Sequence, residues 1–81
     1  MSFSLNAYYK EIDLVYDQYQ AAVDVANEKA RPTKENGGVT ADGAWDIDVI
    51  LRLVSVRDGE IADALTRLNR GLADARWRHF C

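Results

Sequence analysis

Residues 30 to 45 read ARPTKENGGVTADGAW and hold the only proline of this 81-residue chain together with three of its five glycines. Nearly everything on either side has helical spacing, so the reading of this stretch decides the architecture. A phosphate-binding loop needs a lysine and a hydroxyl residue directly after its last glycine. Here Lys34 precedes Gly37 and Gly38, and Val39 follows them. Pro32 disfavours a helical conformation in Arg31, and the glycines can leave a helix in the left-handed region. The stretch therefore reads as a bend, near residues 32–40, between two rods.

Toward the N-terminus, apolar residues fall at Leu5, Tyr8, Tyr9, Ile12, Val15, Tyr16, Tyr19, Ala22, Val23, Ala26 and Ala30. That is one helical stripe and predicts a helix over 4–31. Ser4 is placed to cap its first turn, with Phe3 and Tyr8 spaced as a hydrophobic staple. Lys29 and Arg31 put positive charge at its carbonyl end.

Toward the C-terminus, Ile47, Val54, Ile61, Leu68 and Ala75 stand seven apart, with Ile50, Leu51, Leu65 and Leu72 between them. This predicts a long helix over 41–78, capped by Thr40 or Asp42. Asp48 with Arg52, Asp63 with Arg67, and Asp74 with Arg78 are acid-first pairs four apart, which mark the wet side. Gly59 leaves two readings open. The seven-residue phase runs through it unshifted, which favours a continuous helix bent there; RDGE at 57–60 also fits a turn that would make a three-helix bundle.

The expected fold is all-α and a single domain over 1–81. It is a helical hairpin, kinked or broken near Gly59 and pairing into a four-helix bundle, with the three-helix bundle as the alternative. A chain of 81 residues builds only a modest core, and association is a common remedy. Both helices carry a second apolar stripe that a two-helix hairpin does not need. In the first it is Ala7, Leu14, Ala21 and Val25; in the second, Trp45, Val49, Leu53 and Val56. Residues 45–56 are thus apolar almost all round and need cover on two sides.

This predicts a non-catalytic protein-interaction module, a homodimer with a heterologous protein partner, of the kind seen in small regulators and inhibitors from bacteria or phages. The expected interface residues are Trp45, Val49, Leu53 and Val56, supported by Leu14, Val25 and Tyr16. A structural assembly subunit is an alternative reading.

Chemistry finds little to stand on. His79 is the single histidine and Cys81 the single cysteine, adjacent to the chain end without a third orienting group. Neither a nucleophilic triad nor a zinc site is expected, and no cofactor. The acid pairs Asp13 with Asp17 and Asp24 with Glu28 lie on polar flanks. One cysteine excludes an internal disulfide, although two chains could crosslink through it. No stretch of about eighteen apolar residues suggests a membrane span, and the expected location is cytoplasmic.

Nucleic acid is an unfavoured partner at a formal net charge of −3. The residues that would contact it are Arg67, Arg70, Arg76 and Arg78, near Trp77 and Phe80. The first helix is acidic and the C-terminal stretch basic, so an acidic helix of one chain meeting the basic tail of another is a further expectation.

Overall fold

The computed structural model describes residues 4–80. Two helices form an antiparallel hairpin, α1 (Leu5–Lys29) and α2 (Ile47–Phe80). The staple residue Phe3 and the crosslinking residue Cys81 lie outside the described residues.

α1 starts as its sequence dictates. Ser4 sits in extended backbone and its Oγ accepts from the Ala7 amide at 3.3 Å, satisfying one of the orphan donors of the first turn. At the far end the Ala30 amide still donates to the Ala26 carbonyl at 3.1 Å, and Pro32 follows two residues later.

α2 corrects three expectations. It begins at Ile47, six residues later than expected. Its cap is Asp46, whose carboxylate accepts from the Val49 amide at 3.3 Å and whose carbonyl accepts from the Ile50 amide at 2.9 Å. Thr40 and Asp42, the expected caps, are spent on a turn of the connector. The helix also runs unbroken through Gly59, so the three-helix alternative fails: 34 residues of one helix carry the seven-residue phase without a reset.

The connector, residues 30–46, is longer than the expected bend and is built by its own hydrogen bonds. Asn36 organises its first half: Oδ1 accepts from the amides of Thr33 and Gly38, both at 3.0 Å, and Nδ2 donates to the Arg31 carbonyl at 2.7 Å. Gly38 passes so close to Pro32 that a Cβ there would lie 2.9 Å from the proline Cα. The second half is a miniature hairpin. Val39 bridges Trp45 in antiparallel fashion, the Thr40 amide donates to the Ala44 carbonyl at 2.7 Å, and the Gly43 amide donates to the Thr40 carbonyl at 3.0 Å. Gly43 has φ +88°, the left-handed residue that a three-residue hairpin loop requires. The Thr40 hydroxyl donates to the Asp42 carboxylate, and this bond, with the amides of Asp42 and Ala44, holds the Asp42 carboxyl below its ordinary value.

Between the helices runs a narrow seam of small residues. Among the described residues, Ala26 from α1, Ala30 just past its end, and Ala64, Leu68 and Ala75 from α2 are the buried apolar residues, and Leu68 is the largest of them. At Gly71 the helices approach so closely that an added Cβ would meet Val15 Cγ1 at 2.8 Å. The register is closed at both ends by ion pairs. Lys29 Nζ reaches Glu60 at 3.3 Å, while Glu11 takes Arg78 and, at 2.6 Å, His79 Nε2. Arg78 thus turns to the opposite helix and not to Asp74. The acidic helix meets the basic tail within one chain, through Glu11 with Arg78 and His79. Tyr8 packs edge-on against His79 and Phe80, with ring centroids 5.5 and 4.8 Å away.

At 1.5 Å per residue α1 is about 37 Å long and α2 about 51 Å. Asp24, Asn27 and Glu28 near the end of α1 share a groove with Ile50, Val54 and Arg57, so only the first turns of α2, from Ile47, run past the end of α1. The connector folds back over this overhang, and Val49 lies under Gly37, where a Cβ would stand 3.7 Å from its Cγ1.

Candidate functional site

The core uses few side chains, which leaves much of the apolar sequence outside it. Leu5, Tyr9, Leu14, Tyr16, Val25, Trp45, Ile47, Leu51, Val56, Leu65, Trp77 and Phe80 are all exposed. Burying a side chain of this kind stabilises by about 1.5–3 kcal/mol. The hairpin leaves that free energy unrealised.

The structure distributes these residues over the rod in a way the sequence did not reveal. In an antiparallel pair, one flank of each helix shares a broad face of the hairpin. On the first face Tyr16 and Ile12 of α1 line a shallow groove with Asn69, Leu72, Ala73 and Arg76 of α2. At 100° per residue, Leu5 and Tyr9 continue the α1 flank, and Leu65, Leu51 and Ile47 continue the α2 flank down to the overhang. Tyr16 is 48% exposed, Leu65 45% and Leu51 61%. Toward the bend the same side continues as a groove lined by Asp24, Glu28, Arg31 and Arg57 with Ile50 and Val54. The charged residues on the α2 flank itself are Asp58 and Arg76.

The opposite face is wet. Val25, Ala21 and Ala22 line its groove together with Lys29, Glu60, Asp63 and Arg67. Leu14 falls between Ala21 and Val25 in helical angle, on this same flank of α1, and is exposed.

The expected interface residues therefore do not form one patch. Trp45 is not on α2 at all; it belongs to the connector hairpin and is 69% exposed. Val49 and Leu53 are half-buried, lining with Asn36, Arg52 and Val56 a small depression beneath the connector. Part of the cover that residues 45–56 were expected to need thus comes from the chain itself. Tyr16 lies on the apolar face and Val25 on the charged one. Sequence reading passed over Leu51 and Leu65, which it placed in the main stripe of α2, and Leu5, Tyr9, Ile47 and Phe80. For the α2 residues the available signal was angular: at 100° per residue Leu65 and Ile47 stand about 70° and Leu51 about 110° from the line through Leu68 and Ala75.

The arginines are likewise split. Arg67 lies on the charged face and Arg76 on the apolar one, and Arg78 is committed to Glu11. Arg70 is exposed. Among the described residues no group of three or more histidine, cysteine or acidic side chains is placed to hold a metal ion, and no helix is long and apolar enough to cross a membrane. Comparison with known proteins gives no match: no family model, no curated protein and no solved structure is significantly similar to the chain.

Proposed function

We propose that this protein is a non-catalytic interaction module whose hairpin self-associates and presents the resulting helical surface to another protein. A single observation carries the reading. Among the described residues the buried apolar set is four alanines and one leucine, whereas twelve large apolar side chains stand exposed. Of these, Leu5, Tyr9, Tyr16, Ile47, Leu51, Leu65 and Phe80 lie along one flank of the hairpin, and monomers seldom leave a contiguous apolar surface of that kind uncovered. A second hairpin supplies the missing layer most simply, as two helices on two in a four-helix bundle. The role as a small regulator or inhibitor follows from the same surface, since a rigid helical face suits occupation of a partner's groove.

Light scattering on the full chain tests the self-associating half of this reading. A dimer is expected, and Leu65→Asp is expected to return it to monomer with its helical circular dichroism largely retained. Leu53→Asp is a poorer probe than Leu65→Asp, because Leu53 lies under the connector and its loss disturbs the fold. A wild-type chain that scatters as a monomer at every concentration removes the basis for the reading.

A further inference from the structure

Resting on the self-association proposed above, we infer which face pairs and in what register: two copies stack antiparallel through the face bearing Tyr16 and Leu65, about a two-fold axis at the level of residue 67. The pairing partner is a second copy of this chain.

Asp58 and Arg76 identify the register. They are the charged residues of α2 on this flank, and they stand eighteen residues apart, which is five full turns, so they point the same way. Residue 67 lies midway between them. An antiparallel α2 pair centred there puts Asp58 of each copy opposite Arg76 of the other, two ion pairs made by one two-fold operation. Asp58 is 64% exposed and is held by its neighbour Arg57 at 3.2 Å, a contact that leaves much of the carboxylate open to a second cation. Between the two charges lie Ala62, Leu65, Asn69, Leu72 and Ala73, small or apolar, as a close helix contact requires.

The same operation carries Phe80 of one copy opposite residue 54 of the other, one turn from the exposed Leu51. Centred on residue 67, the two copies overlap from residue 54 to Phe80, about 39 Å of helix; across the 17 Å width of the rod this removes on the order of 700 Å² per copy, close to the roughly 800 Å² of a standard interface. The opposite face has Lys29, Glu60, Asp63 and Arg67 along its groove and offers fewer of the exposed large apolar side chains.

Charge reversal tests the register. Sedimentation equilibrium is run on the full chain, on Asp58→Arg, on Arg76→Asp and on the double reversal, with circular dichroism confirming that each is folded. Each single reversal sets two like-charge contacts in the interface and is expected to weaken dimerisation by roughly tenfold or more. The double reversal restores the pairs and is expected to return the affinity to near the wild-type value. Dimers indifferent to both single reversals overturn this face and register while leaving self-association standing. A wild-type chain that is monomeric throughout overturns both readings. Open-ended assembly overturns the closed two-fold arrangement.

Discussion

Gly71 and Gly59 sit in the same helix and invite the same substitution, but the structure predicts opposite results. Replacing glycine by alanine within a helix gains about 1 kcal/mol from backbone entropy alone. At Gly59 an added methyl has nothing within 4 Å, so Gly59→Ala realises that gain. At Gly71 the methyl arrives 2.8 Å from Val15 Cγ1 and 3.2 Å from Cγ2. Rotating one methyl away brings little relief, because valine in a helix keeps essentially one χ1 rotamer. The helices must separate, and overpacking of this kind costs about 1–3 kcal/mol. The helix-propensity gain is common to both variants, so the difference between them isolates the clash: Gly59→Ala is expected to exceed Gly71→Ala by about 1–3 kcal/mol. Urea unfolding followed at 222 nm, at one fixed protein concentration, measures it. Equal stabilisation by both variants refutes the close seam at Gly71. A loss at Gly59→Ala refutes the unbroken helix.

The connector and caps yield further tests. Asn36→Ala removes three side-chain hydrogen bonds from the bend and is expected to cost about 1–3 kcal/mol in chemical unfolding, without loss of helix length. Asp46→Ala removes the α2 cap and is expected to cost about 1 kcal/mol, with fraying confined to the first turn in amide exchange. The Asp42 carboxyl titrates below its reference of 3.8, so its bond to Thr40 is intact above that pH and is lost as the pH falls through the lowered value. Carboxyl chemical shifts followed by NMR report the titration, and Thr40→Val is expected to move it back up.

Much of the fold was legible because it rests on local rules. Ser4 marks the start of α1, Pro32 comes just past its end, and the seven-residue spacing from Val54 to Ala75 forecasts the seam and carries the helix through Gly59. The start of α2 was misread for a physical reason. Thr40 and Asp42 are good caps and equally good turn residues, and Asp42–Gly43 is a hairpin signal that the capping reading obscured. Trp45 keeps helical spacing with Val49, which drew it into a helix it precedes. The site was less legible than the fold. Periodicity shows that a helix has two apolar flanks, but the rotation and register of one helix on the other decide which flanks share a face. Those are set by long-range contacts, here Gly71 against Val15 and Glu11 against Arg78 and His79, at separations no local pattern encodes.

The central claim is that one hairpin cannot cover its own apolar surface, and the mass of the folded chain in solution tests it most directly. Sedimentation equilibrium across micromolar concentrations is predicted to give about twice the 9.1 kDa of a single chain. A cooperatively folded species that stays at 9.1 kDa throughout that range contradicts it.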